Sequence, residues 1–231
     1  MSYIMSGDFA YTINSSSRTA IIAEFITDNP QVVIPDTIQG FSVIGIGKAV
    51  FRNNKNIQSV EIPYSVLYVG AEAFKNSSVE LVTFKNRPVE HDIFFEENKP
   101  ECYLYHSVFE NCAKLKKVVL RSKTVIKDWN VFANCILLTE INSEELMESI
   151  PKNSFKNCQS LNYFMIAHEV YVEDEAFSGC QFNEFWEFAL STYSDDFFES
   201  IQTADIYCWS NSKLVDFAYI GLRVVLIDSL Q

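Results

Sequence analysis

Apolar residues recur along this chain with a period far longer than that of a helix or a strand. Six phenylalanines, Phe51, Phe74, Phe109, Phe132, Phe155 and Phe177, sit in matching contexts at spacings of 23, 35, 23, 23 and 22 residues. A small or short residue precedes each: Val50, Ala73, Val108, Val131, Ser154 and Ala176. Two positions after the ring come Asn53, Asn76, Asn111, Asn134 and Asn157, and Gly179 closes that series. Three positions after come Asn54, Ser77, Cys112, Cys135, Cys158 and Cys180. Apolar side chains then return six, nine and eleven places past the ring, as in Ile57/Val60/Ile62, Leu115/Val118/Leu120 and Leu161/Phe164/Ile166. The fourth repeat keeps Leu138 and Ile141. The second and sixth are one residue shorter, with Val79/Val82/Phe84 and Phe182/Phe185.

A unit of this length cannot bury its own apolar face, but stacked units share one core. The alternation Val60-x-Ile62 or Val118-x-Leu120 predicts a short strand with every second side chain inward. Neighbouring units then pair as a parallel sheet, and each Phe fills the space between the two faces of its rung, followed by a one-turn helix or bend. The Asn two places on suits a turn, and its stacked copies predict a ladder along the molecule. Val43/Ile46, Val66/Val69 and Met147/Ile150 predict the opposite wall. Lys127 breaks that register, and Val125-Ile126 substitute with a shift of one residue.

The unit Val66-x-x-Val69-Gly70-x-x-Ala73-Phe74-x-Asn76, running on to Leu-x-x-Ile/Val-x-Ile-Pro, resembles the BspA-type leucine-rich repeat. Tyr11-Thr-Ile13, Ala20-Ile-Ile22 and Val33-Ile-Pro35 resemble its N-terminal cap and first rung. Ile206-Tyr-Cys208, Leu214 to Ala218 and Val224 to Ile227 resemble a closing strand, short helix and last strand. The expected class is an α/β solenoid of parallel strands in rungs of about 23 residues, forming one domain over 1–231. Residues 1–42 make the N-terminal cap and first rung, 43–190 the repeats and 191–231 the C-terminal cap. The extra length between Phe74 and Phe109 is an insertion over 86–100. The resemblance implies a bacterial surface or secreted protein engaged in adhesion or host contact.

Composition narrows the function. Net charge is −12, from 18 Lys+Arg against 30 Asp+Glu, which argues against nucleic acid as partner because phosphate needs a basic face. No apolar run approaches the length that spans a bilayer, so membrane insertion is not expected. The first eight residues lack a basic n-region and an apolar h-region, so no signal peptide is expected. That absence, with unpaired cysteines, favours the rival reading of an intracellular scaffold. A self-binding architectural unit is a third reading, and the oligomeric state stays open.

Four cysteines at one repeat phase form a file, one per rung, which cannot converge tetrahedrally on zinc. Buried free thiols are the expectation. Cys102 and His106 are four apart and define the enzymatic alternative, a Cys–His hydrolase, beside a metal-dependent hydrolase built on an acidic metal site. No Gly-x-Gly-x-x-Gly, Walker loop or His-Glu-x-x-His motif points to a cofactor or metal. The acid is uneven: residues 140–205 hold 14 Asp+Glu and two lysines, Lys152 and Lys156. A solvated face is expected there, with a cation site as the alternative.

A protein partner is therefore expected, met by the ribbon of outward residues between the inward apolar ones. Lys117, Glu140, Tyr163 and Met165 lie on that ribbon, and Trp186 or Phe185 joins it depending on register. Phe94 and Phe95, in the insertion, either cover the rungs or meet the partner.

Overall fold

The computed structural model describes residues 3–86, 101–166, 169–187, 192–193, 205–208 and 224–226. The chain winds as a solenoid with two facing walls of β-structure. In the first wall, Phe41–Ile46, Tyr68–Val69, Cys102–Leu104, Thr124–Ile126 and Leu146–Met147 pair in parallel. A second, shorter sheet carries this side onward through Ser149–Ile150, Tyr171–Val172 and Thr192–Tyr193. In the other wall, Gln31–Val33, Ser59–Ile62, Leu81–Phe84, Lys117–Val119 and Glu140–Ile141 run in parallel register. A separate sheet of Tyr163–Ile166, Glu184–Glu187, Asp205–Cys208 and Val224–Leu226 follows it.

The N-terminal end is closed by antiparallel pairing. Tyr3–Ser6, Phe9–Asn14 and Thr19–Phe25 form a meander, and the last of these joins Phe41–Ile46 in parallel. Phe9 and Phe25 lie against Phe51, with ring centroids 6.3 and 5.1 Å away, so the end of the aromatic file is covered rather than wetted.

The six phenylalanines form that file. Successive rings are stacked at 4.6, 5.1, 5.2, 5.1 and 5.4 Å from Phe51 to Phe177. Offset stacks of this kind add about 0.5–1.5 kcal/mol per pair beyond area burial. At the far end Phe164 and Phe182 meet Phe177 edge-on, at 4.8 and 5.4 Å. Apolar positions along the repeats, including Val60, Ile62, Val118, Leu120, Leu161 and Phe164, are buried in one core.

Where a one-turn helix or bend was expected around each Phe, the chain makes a run of overlapping turns. Residues two before and two after each ring have positive φ: Glu72 and Asn76 at 58° and 59°, Asn130 and Asn134 at 62° and 61°. A helix needs consecutive right-handed residues, so a left-handed one at every fourth position stops it from propagating. The backbone groups divide their partners. Ala73, Lys75 and Ser77 donate within the turn, to the carbonyls of Gly70, Glu72 and Phe74. Glu72, Phe74 and Asn76 donate instead to the next rung, at His106, Val108 and Glu110. The expected asparagine ladder occupies the second left-handed position. Asn76, Asn111, Asn134 and Asn157 each donate from Nδ2 to Oδ1 of the preceding Asn, over 2.8–3.0 Å. At Gly179 (φ 81°) a Cβ would sit 2.5 Å from the Asn157 amide oxygen, so glycine ends the series.

The shift at Lys127 is present. Ile126, not Lys127, continues the inward column after Leu104, and Lys127 is exposed. The base of the insertion is tied down. Arg121 is buried and donates Nη1 to the Tyr64 carbonyl at 2.7 Å and Nη2 to the Glu101 carbonyl at 3.2 Å. Asn86 accepts from the backbone and hydroxyl of Ser122, both at 3.3 Å. The residues bounding the insertion thus share one anchor; Phe94 and Phe95 lie outside the described residues.

Two substitutions test the turn and the stack. Phe132→Ala should cost about 3–5 kcal/mol in urea denaturation, the range for a buried ring with neighbours on both faces. Asn134→Ala should cost more than Asn134→Gly, because both lose the ladder bonds but alanine adds about 1–2 kcal/mol of left-handed strain. Equal losses in the two Asn134 variants would show that the strain is not felt.

Candidate functional site

The site begins with a lapse in the repeat. Eleven positions past the ring, where other rungs carry Ile62, Leu120 or Ile166, the fourth carries Ser143. A hydroxyl in an inward apolar slot needs hydrogen bonds, and it finds them across the gap to the next rung. Ser143 Oγ donates to the Met165 carbonyl at 2.8 Å and accepts from its N–H at 2.9 Å. Its neighbour Asn142 does the same in the other direction, accepting from Leu120 N–H at 2.6 Å and donating to its carbonyl at 3.0 Å. Side chains have taken over what backbone does elsewhere. The chain after Ile141 accordingly leaves the sheet and turns through Ser143–Glu145 as a single 3₁₀ turn. The five-stranded sheet ends at Glu140–Ile141, and the next sheet starts at Tyr163–Ile166.

The opposite wall is stepped on the same rung. Its long sheet ends at Leu146–Met147, Glu148 follows at φ 68°, and a new sheet starts at Ser149. The dislocation opens a groove of about 530 Å³ on the second wall, lined by Lys117, Val119, Thr139, Glu140, Asn142, Tyr163 and Met165 among others. Four residues expected on the outward ribbon, Lys117, Glu140, Tyr163 and Met165, therefore share one surface feature. Lys117 and Glu140 are cross-strand partners and form an ion pair. Both are well exposed, which makes the pair worth little for stability. Tyr163 is 36% exposed and Met165 is half-buried beside it.

Val119 and Asn142 belong to the outward ribbon expected from the sequence, beside Lys117 and Glu140, whereas Thr139 and Ser143 were not singled out. The absent third apolar position of the fourth repeat is the signal that marks them. Trp186 takes the register position of Met165, and Phe185 that of Phe164.

The chemistry of the remaining candidates runs against catalysis. Cys102, Cys112, Cys135, Cys158 and Cys180 are free and buried. Each thiol of the file bonds the carbonyl of the Phe one rung back: Cys112 to Phe74 at 3.0 Å, Cys135 to Phe109 and Cys158 to Phe132 at 3.2 Å, Cys180 to Phe155 at 3.1 Å. Burial pushes Cys112 up to about 11 and Cys180 to about 12, and holds Cys135 and Cys158 well above the usual thiol value. Cys102 is likewise pushed up to about 11 by burial, although Arg121 beside it acts the other way. A nucleophilic cysteine needs the opposite shift. His106 stacks on Trp129 at 5.6 Å.

Carboxylates of the acidic segment are drawn into pairs. Glu148 meets Lys127 at 2.9 Å, and Glu175 meets Lys152 and Lys156 at 3.4 and 2.5 Å. The hydrogen bond from Lys156 holds the Glu175 carboxyl below its usual range. Among the described residues no group of three His, Cys, Asp or Glu side chains is placed to hold a metal ion. Asp195 and Asp196 lie outside the described residues.

Comparison with known proteins places this architecture. The family model described as BspA type leucine rich repeat region matches residues 30–103 and 97–214, in six copies. A leucine-rich cell surface protein from Faecalibacterium prausnitzii is similar in structure, with TM-score 0.65 and 21% identity. The match covers 92% of this chain but only 55% of that one, so the chain spans about half the length of that relative. The leucine-rich repeat protein of T. pallidum matches with TM-score 0.67 and 18% identity, over 94% of this chain and 95% of its own. A leucine-rich repeat protein from Eubacterium ventriosum matches at TM-score 0.52 and 20% identity, over 77% of this chain and 50% of its own. No curated protein sequence matches the chain.

The thiols make stability fall in alkali. An unfolded thiol ionises near pH 8.5, while these folded thiols hold their protons to about 11 or beyond. Above pH 8.5 the unfolded chain therefore binds fewer protons than the folded one. The stabilisation is complete below that pH and is lost as pH climbs towards the folded values. The unfolding free energy from urea titration should drop between pH 8 and 10 by about 2 kcal/mol per buried thiol, and Cys135→Ala should flatten that slope.

Proposed function

This chain belongs to the BspA-type leucine-rich repeat family, and on that footing we propose that it is a non-catalytic module that holds a protein partner in the groove between Glu140–Ile141 and Tyr163–Ile166. The observation that carries the reading is the coincidence of two independent features. The repeat fails at Ser143, and the outward side chains gathered by that failure are an aromatic, a methionine and an ion pair. Tyr and Met are enriched in interface cores. A charged pair at the margin suits register and partner choice more than affinity.

Adhesion or host contact is the role we assign to this binding. It is supported by family membership and by the surface description of the F. prausnitzii relative, which is a statement about that protein. An intracellular scaffold is the competing role, and the five free thiols among the described residues speak for it.

Site-specific photo-crosslinking in the source cells separates these readings. A crosslinker at position 163 should give a discrete protein adduct, and one at Tyr171 on the other wall should not. Tyr163→Ala with Met165→Ala should weaken the captured partner at least about tenfold, as truncation of interface anchors does. Both side chains face outward and are only partly covered, so the melting temperature should fall far less than in Phe132→Ala. Adduct that is reached by an impermeant biotin reagent supports host contact, and adduct found only inside supports the scaffold.

A further inference from the structure

A second cavity lies at the N-terminal end and shares no lining residue with the groove. Its volume is about 330 Å³, at the small end of the range for ligand sites. The turn that joins Tyr3–Ser6 to Phe9–Asn14 gives it Ser6 and Asp8, and the second of those strands gives it Phe9 and Tyr11. Val33, Pro35 and Ile38 supply apolar wall, and Thr37 a further hydroxyl. Gln31–Val33 is the last strand of its sheet and is paired on one side only among the described residues. The cavity therefore lies beside an open sheet edge, where Val33 is 64% exposed.

Two of its polar groups lack a complement. Tyr11 is fully buried and its hydroxyl has no hydrogen-bond partner, a condition that calls for an explanation in a native fold. Burial, and after it the charge of Asp8, pushes that phenol up to about 12, so it keeps its proton. Among the described residues the Asp8 carboxylate has neutral partners alone. Thr27 donates Oγ1 to its Oδ1 at 2.9 Å, and Asn29 donates Nδ2 to its Oδ2 at 3.2 Å. No Lys, Arg or His lines the cavity. Over residues 3–42, Asp8, Glu24, Asp28 and Asp36 stand against Arg18 alone, so the field at this end also favours a cation.

These contacts narrow the ligand. A carboxylate without a counter-ion repels an anion and attracts a cation. Each Asp8 oxygen already accepts one hydrogen bond, which disfavours the two-pronged grip of a guanidinium. A quaternary ammonium has no N–H and would leave the Tyr11 oxygen without a donor. A primary ammonium carries three donors on a compact charge. They match the Asp8 carboxylate, the Tyr11 oxygen and a hydroxyl of Ser6 or Thr37. Val33, Pro35 and Ile38 suit the alkyl stem behind it.

We propose that this cavity binds a primary alkylammonium group, with the Asp8 carboxylate as its counter-ion and the Tyr11 hydroxyl as an acceptor. Two sources carry that chemistry, a free polyamine and the lysine side chain of a protein. The site is independent of the groove and of the reading given to it.

Titration of the intact, isotope-labelled chain near neutral pH with cadaverine, Nα-acetyl-lysine methylamide and the neutral control n-pentanol tests it, read from the amide signals of Gly7 and Val33. At least one amine should shift them saturably, and pentanol should bind at least about tenfold more weakly. Asp8→Asn should weaken the amine by about tenfold or more, and Tyr11→Phe by about three- to tenfold, the scales of a charged and a neutral hydrogen bond. Tyr11→Phe should also hold or raise the melting temperature, because the hydroxyl it removes has no partner. That variant therefore decides the matter even if Asp8→Asn fails to fold. Tighter binding of cadaverine assigns the site to free polyamines, and tighter binding of the lysine derivative assigns it to a protein side chain. Tyr163→Ala with Met165→Ala should leave amine binding intact, which keeps this test separate from that of the groove. Absence of a saturable shift with both amines would overturn the proposal. So would pentanol binding as tightly as the amines, affinity unchanged in Tyr11→Phe, or loss of binding in the Tyr163/Met165 variant.

Discussion

The structure depends on one constraint: each rung must hand its backbone polar groups to the next around its full circumference, in the turns as well as the strands. The alternating left-handed residues achieve this. They set every second N–H of the turn parallel to the solenoid axis, towards the carbonyls of the following rung, while the others close the turn itself. Left-handed backbone is costly for residues such as Ala49, Glu72 and Glu175, which hold it at 53–60°. It persists because the neighbouring rungs fix it from both sides. Once the turn is set, the ring at its centre, the amide two places on and the thiol three places on each stand above their copies. The aromatic stack, the asparagine ladder and the thiol file are three consequences of a single backbone geometry.

The same constraint explains why the groove lies where it does. An apolar residue eleven places past the ring holds the strand against the core, and Ser143 cannot. Its hydroxyl and the Asn142 amide bridge the gap and give the Leu120 and Met165 backbone groups partners, yet the strand is shortened and both walls step on one rung. A defect in packing has been made tolerable by polar satisfaction. The outcome is a concavity in an otherwise regular face.

The core was legible in the sequence because it repeats: burial fixes residue type at each inward position, and six copies make the pattern plain. The Phe file, the Asn ladder, the buried Cys column and the one-residue shift at Ile126 were all readable for that reason. The left-handed turns were not, since only the second of each pair favours Asn, and the first is held by residues as unlike as Ala49, Glu72 and Ser107. A helical turn and a run of tight turns leave the same spacing of apolar residues. Cys102 lies in a first-wall strand, paired with Thr124 and buried beside Arg121, a contact that the repeat pattern does not carry. For the site, the outward alternation was enough to name Lys117, Glu140, Tyr163 and Met165. That they share a groove rests on hydrogen bonds from Asn142 and Ser143, visible in sequence only as a missing apolar residue.

A solenoid of this kind separates stability from recognition more completely than a globular core does. Inward positions are coupled to both neighbours, so each is held to one chemistry along the file. Outward positions are coupled mostly through weak surface contacts, such as the ion pairs of Lys116 with Glu80 at 2.7 Å and Arg52 with Glu72 at 2.9 Å. Two walls therefore give two faces whose chemistry can diverge at little cost to the fold. The second wall gathers a methionine, a tyrosine and an ion pair at a dislocation. The first wall steps on the same rung but displays other chemistry, with Tyr105 and Trp129 exposed on it. A repeat that is monotonous inside is, for that reason, free to be specific outside.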